Sequence, residues 1–208
     1  MKIEINLKII LLLILIVILN KIEIYMLFII FILCHELSHM VMGIILGFKP
    51  KTLRLNPLGV SIEFYNYDEN NKKNKWKRIL TYLAGPLINL LIGMIFYFID
   101  IEIEIKTKII YTNFLIGIFN LLPILPLDGG KVLKEILKLI YNPKIASIFM
   151  INITKSILII VSLIYSIVIF QMKNFMIFLL IVYLWYLYYV EEKKERLMVR
   201  VYEALEKQ

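Results

Sequence analysis

The stretch IEIYMLFIIFILCHELSHMVMGIILG, Ile22–Gly47, decides how this chain folds. It is apolar over a length that suits a bilayer-crossing helix, which needs about 20 residues. Its middle nonetheless holds His35, Glu36, Ser38 and His39. Polar and ionisable groups are costly in hydrocarbon, and inside a span they are functional by default. The run therefore reads as a membrane helix built around a polar site.

Composition agrees. Hydrophobic residues make up 61% of the 208, against about half in a soluble domain, and mean hydropathy is +0.81. Six segments are expected: about Leu7–Leu19, Ile22–Gly47, Ile79–Ile99, a fourth from near Ile109 broken at Pro123 and Pro126, Ile148–Phe170, and Phe175–Val190. No small-residue cleavage site follows the first run, since Asn20-Lys21-Ile22-Glu23 come next, so it is expected to be retained as a span. Between the second and third segments, residues 51–65 partly alternate apolar and polar on either side of Asn56-Pro57-Leu58-Gly59, a turn signal. The expected fold is an all-α polytopic membrane protein of six transmembrane segments, with a short membrane-associated β-hairpin between segments two and three. Residues 1–190 form one membrane domain, and 191–208 a charged tail able to form a short amphipathic helix.

The net charge of +8 is concentrated between the apolar runs. Residues 48–78 hold Lys49, Lys51, Arg54, Lys72, Lys73, Lys75, Lys77 and Arg78, and residues 131–144 hold Lys131, Lys134, Lys138 and Lys144. Loops rich in Lys and Arg stay in the cytoplasm, so these loops and both termini are expected there, in a multi-pass cell-membrane protein. That placement accounts for the basic charge without nucleic acid. The single cysteine, Cys34, excludes an internal disulfide framework. Gly43, Gly47, Gly85 and Gly93 are expected to let helices approach closely. Trp76, Trp185 and the run Tyr183–Tyr189 read as interfacial belt residues.

Chemistry is concentrated in the only two histidines, which stand as His35-Glu36-Leu37-Ser38-His39. Positions i and i+4 share a helix face, so both imidazoles can reach one Zn²⁺. Glu36 is then placed to take a proton from the attacking water. A catalytic zinc wants a third protein ligand, and no third histidine exists. Cys34 points about 100° away around the helix from His35, which makes it a poor candidate. Asp128, in Asn120-Leu-Leu-Pro123-Ile-Leu-Pro126-Leu-Asp128-Gly129-Gly130, is the better one. Two prolines three apart break the helix, and an irregular segment can carry a carboxylate back toward a metal. A scaffold or metal carrier would need no general base beside the ligands, so Glu36 favours an enzyme.

His35–His39 in an early segment, Ala84-Gly85-Pro86-Leu87-Ile88-Asn89 in a central one, and the Asn120-x-x-Pro-x-Pro-x-Asp-Gly run together resemble the site-2 protease family of intramembrane zinc metalloproteases. The short first segment, hairpin and six-span layout look most like its bacterial sporulation branch. The resemblance covers about residues 1–190. It implies zinc held by His35, His39 and Asp128, with Glu36 as base. It gives Asn120 a part in stabilising the oxyanion or positioning substrate, and has Pro123 and Pro126 shape a substrate-facing segment. It implies a membrane-associated protein substrate, such as a sporulation sigma-factor precursor, an anti-sigma factor or a peptide signal, and restraint by membrane partner proteins. Members of that branch commonly carry a C-terminal nucleotide-sensing CBS domain. Only residues 191–208 follow the last segment here, so direct ATP sensing is not expected.

Overall fold

The computed structural model describes residues 2–5, 22–56, 59–65, 74–172 and 175–205. The expected first segment, about Leu7–Leu19, lies outside them, as do Pro57 and Leu58 of the turn. The chain divides into two compact units, Met1–Leu121 and Leu122–Gln208.

The first unit runs β1 (Lys2–Ile5), α1 (Ile22–Ile45), β2 (Lys49–Asn56), β3 (Gly59–Tyr65), α2 (Lys75–Phe98) and α3 (Ile103–Asn120). The strands form a sheet in the order β1-β2-β3, with β1 parallel and β3 antiparallel to β2. Along α1 the buried positions are Phe31, His35, His39 and Gly43, one every four residues. Opposite them runs an exposed apolar stripe of Met26, Ile30, Leu33, Leu37, Val41 and Ile44. A helix apolar on its outer face and polar on its inner one suits lipid outside and a site inside.

Phe31 packs with Ile109 and Ile116 of α3, joined by Leu27, Phe28, Ile92 and Phe96. A methyl at Gly93 would come within 3.0 Å of the Phe114 ring, and one at Gly117 within 3.1 Å of the Pro86 carbonyl oxygen. Small residues let the α2 and α3 backbones meet closely, as expected where association rests on van der Waals packing.

Gly47 plays a different part from the close approach expected of it. At φ 89° it lies just past the end of α1, its N–H bonding to the Ile44 carbonyl and that of Phe48 to Gly43. This is the Schellman stop, in which a left-handed residue satisfies the last carbonyls of a helix. The Lys77 ammonium donates to the Leu46 carbonyl at 3.0 Å and reinforces the same end. The helix therefore ends at Ile45, two residues before the apolar run does.

Helix α3 starts at Ile103, ahead of the expected Ile109. Glu104 falls in its first turn, where the helix dipole favours an acid. The Lys108 ammonium, 2.6 Å away, holds the exposed Glu104 carboxyl below the usual carboxylate range. That small contribution is present at neutral pH and is lost as acid protonates the carboxylate.

The second unit comprises a loop from Leu122 to Leu127, then α4 (Asp128–Ile140), α5 (Pro143–Met172) and α6 (Phe175–Leu205). Helix α4 was not legible as a separate element. It begins at Asp128, so Asp-Gly-Gly opens a helix rather than closing one. Inside the loop Ile124 and Leu125 are buried, the Leu125–Pro126 peptide is cis, and the Leu125 N–H donates to the Thr154 hydroxyl at 3.2 Å. A methyl at Gly130 would lie 2.5 Å from the Ile124 carbonyl carbon and oxygen. Those are backbone atoms with little room to move, so only glycine lets α4 start against this loop.

Residues 191–205, expected as a separate tail helix, continue α6 without a break. Glu195 on this extension receives a 2.6 Å hydrogen bond from the Lys134 ammonium of α4, and the two side chains are only 2% and 11% exposed. Lys138 and Glu135 form a second buried pair at 2.9 Å. Losing one partner of a buried pair leaves an uncompensated charge, at a cost of about 3–5 kcal/mol. The ion pair thus ties one turn of the extension to α4, while the residues on either side of Glu195 stay exposed or half-buried.

Three helical stretches among the described residues are long and apolar enough to cross a membrane: Met26–Ile45, Lys75–Phe98 and Pro143–Ser166. Helix α3 falls short because Glu104, Lys106 and Lys108 occupy its first turns. Helix α6 is apolar only until Glu191.

Candidate metal centre

His35 and His39 stand one turn apart on the buried stripe of α1, their ring centroids 4.8 Å apart and their planes 85° to one another. Each ring is held by its Nδ1. That of His39 lies 2.7 Å from the Thr81 carbonyl oxygen, which can only accept, so Nδ1 carries the proton. That of His35 lies 2.7 Å from Asn89 Oδ1. With Nδ1 protonated, the ring lone pair is on Nε2 in both residues. A metal-binding imidazole has this arrangement, with the far nitrogen donating to a carbonyl and the near one coordinating.

Helix α2 supplies both anchors. Pro86 has no N–H, so the ladder bond that would end on the Tyr82 carbonyl is missing. The Thr81 hydroxyl donates back to the Lys77 carbonyl at 2.9 Å. About two turns beyond Thr81, Asn89 is fully buried.

Gly85 completes the arrangement. A methyl placed there would lie 2.6 Å from His35 Nε2 and closer still to His39 Nε2. Both ligand nitrogens therefore converge beside a position that has no side chain. Two Nε2 atoms, tautomers set for coordination and a cradle that a methyl would fill together fit a metal ion.

Glu36 is half-buried next to His35 on the same helix, and the Ser38 hydroxyl is satisfied by the His35 carbonyl at 2.5 Å. Asn120 is the last residue of α3, and its amide donates to the Ile116 carbonyl at 3.0 Å. In the second unit, Asp128 is the first residue of α4, buried, with the Lys131 ammonium 2.9 Å from its carboxylate. Pro123 and Pro126 lie half-buried in the preceding loop. Sequence reasoning left three residues of the first unit without a role: Thr81, Asn113 and, beyond its place in a motif, Asn89. For the two asparagines the signal was present, since each is a lone amide inside an apolar run.

Bilayer-length apolar helices, one of which presents two imidazole nitrogens from its inner face, define a membrane protein with a histidine-pair metal site. The chain belongs to Peptidase family M50, which residues 23–105 and 102–165 match. A zinc metalloprotease of Methanocaldococcus jannaschii is 30% identical over 172 residues, covering 79% of this chain. The chain spans 47% of that relative's length. Among solved structures, the site-2 protease from Methanocaldococcus jannaschii superposes with a TM-score of 0.65 at 25% identity, covering 91% of this chain and 90% of that one.

Proposed function

We propose that the chain is a zinc metalloendopeptidase of the site-2 type, hydrolysing a peptide bond of a membrane-associated protein at the bilayer. The observation that carries this reading is the convergence of His35 and His39 Nε2 beside Gly85, with Glu36 next in sequence to the first ligand. The metal is zinc, and on this reading two imidazoles and one carboxylate, those of His35, His39 and Asp128, hold it. A buried carboxylate supplies the third ligand that a catalytic zinc needs while one position stays open.

Bound there, zinc supplies Lewis-acid chemistry, easing the ionisation of water and polarising a carbonyl. Glu36 takes the proton from the attacking water and passes it to the leaving amine. Asn120 donates its amide to the carbonyl oxygen as that oxygen gains charge, exchanging the bond it makes to Ile116. Pro123 and Pro126 keep the 122–127 loop from closing into helix, so that it faces an extended substrate.

The ligand variants test the donor set. His39→Ala and Asp128→Ala are each expected to lower bound zinc well below one ion per chain and to abolish cleavage. Metal analysis of purified protein decides it: full zinc in Asp128→Ala would remove that residue from the site.

The finer reading keeps six spans, the first about Leu7–Leu19, a membrane-associated β2–β3 hairpin, and a cytoplasmic face carrying the 48–78 and 131–144 loops. Their excess of Lys and Arg supports this orientation in the cell membrane. Thiol labelling of single-cysteine variants, with Cys34 replaced, is expected to reach position 73 only from the cytoplasmic side, and labelling from outside would reverse the topology. On the same layout, the substrate is a sporulation sigma-factor precursor, and membrane partner proteins hold the enzyme in check.

A further inference from the structure

Asn113 lies on α3, fully buried and distant in sequence from His35 and His39. Its amide nitrogen donates to the Ile109 carbonyl at 2.9 Å, four residues back on its own helix. Its oxygen accepts from Asn89 Nδ2 at 3.0 Å, a nitrogen that also reaches the Phe31 carbonyl at 3.3 Å. Asn89 Oδ1 in turn faces His35 Nδ1 at 2.7 Å. All three side chains are buried, so water cannot rearrange the chain of bonds.

The direction of this chain is dictated from its far end. A backbone carbonyl only accepts, so the Asn113 nitrogen must face Ile109 and its oxygen must face Asn89. That oxygen accepts only, so the Asn89 nitrogen must turn to it, which leaves Oδ1 for His35. An oxygen at that place admits only a protonated Nδ1. Were the Asn89 amide reversed, its nitrogen would donate to Nδ1 and put the ring proton on Nε2, where a metal must bind.

We propose that Asn113 is a positioning residue of the metal site: through Asn89 it holds His35 in the Nδ1–H tautomer and so leaves the Nε2 lone pair for the metal. This rests on the zinc reading of the site and adds to it a determinant on a third helix. A purely structural role, tying α3 to α2, would lower stability on mutation without touching the metal. Outer partners of a ligand histidine are worth about 10–100-fold in metal affinity.

The test is zinc affinity of the full-length protein in detergent, by competition with a chromophoric chelator, alongside its melting temperature. Asn113→Leu removes the nearer of the two acceptors that orient Asn89, leaving the longer bond to the Phe31 carbonyl, and is expected to weaken zinc binding about 10–100-fold. Asn113→Asp keeps an oxygen facing Asn89 and is expected to bind nearly as wild type does. In the double variant Asn89→Asp, Asn113→Leu, an acceptor faces His35 whatever stands at 113, so affinity is expected to recover. Because the chain has only two histidines, ¹⁵N-histidine labelling of the metal-free protein reads both tautomers directly. In Asn113→Leu the His35 signals are expected to move toward the Nε2–H form while those of His39 stay. Unchanged zinc affinity with a lowered melting temperature would reduce Asn113 to a structural residue and overturn the proposal. So would equal losses in Asn113→Asp and Asn113→Leu, or no recovery in the double variant. If Asn113→Leu does not fold, Asn113→Asp and the double variant still decide. Wild-type protein that holds no zinc would instead overturn the reading of the whole site.

Discussion

Glu36→Gln is expected to leave zinc bound at one ion per chain and to lower peptide-bond cleavage by about 10²–10⁴-fold, the usual worth of a positioned proton-transfer group. The substitution keeps the side chain's size and its place on α1 while removing its ability to accept a proton. Both imidazoles are held from α2, by bonds to Asn89 and Thr81. Metal analysis with a cleavage assay separates the two effects. A loss of zinc would make Glu36 a ligand or a support, and retained activity would remove it as base. Run in a heterologous cell with a candidate sigma-factor precursor, the same pair of proteins also tests the substrate. Cleavage near the precursor's N-terminus that needs Glu36 is expected, and a precursor left intact beside active enzyme would end the sporulation reading alone.

Gly85→Ala is expected to cost zinc as severely as losing an outer partner of the ligands, about 10–100-fold in affinity or more. In most helices this exchange is favourable by about 1 kcal/mol, because glycine is the more flexible residue. Here the added methyl falls against both Nε2 atoms. The rings cannot swing aside cheaply, since each is pinned at Nδ1 by a 2.7 Å hydrogen bond. The helix is therefore expected to keep its content by circular dichroism while the metal site fails. Gly93→Ala is the control, because the atoms nearest its methyl are those of the Phe114 ring at 3.0 Å rather than a ligand nitrogen. Zinc bound at wild-type affinity by Gly85→Ala would show that the cradle beside Gly85 does not receive the ion.

The membrane class and the heart of the chemistry were readable from residues alone, because both depend on local pattern. Twenty-odd apolar residues interrupted by His35-Glu36-x-x-His39 state a span and a shared helix face together, since spacing along one helix fixes which side chains align. The structure adds that the same four-residue spacing continues through Phe31 and Gly43, so a single buried stripe carries the whole motif. Helix ends were less legible. Gly47 reads from sequence as a close-packing residue, and only its left-handed φ of 89° reveals it as a stop. Helix α4 was hidden because Asp-Gly-Gly carries the composition of a turn. What makes it a helix start is the tight approach of Gly130 to the Ile124 carbonyl, a contact absent from local sequence.

Residues 191–205 read as a solvated tail from their charge. The structure departs from this at Glu195, which lies buried against Lys134 of a different helix while its neighbours along the extension stay exposed or half-buried. The same holds for the support of the metal site. That His35 and His39 are the candidate ligands was determined by the sequence. Which nitrogen of each ring carries the proton was decided by tertiary structure, because the partners at Thr81, Asn89 and Asn113 arrive from two other helices. A hydrogen bond between helices has no signature in the spacing along either one.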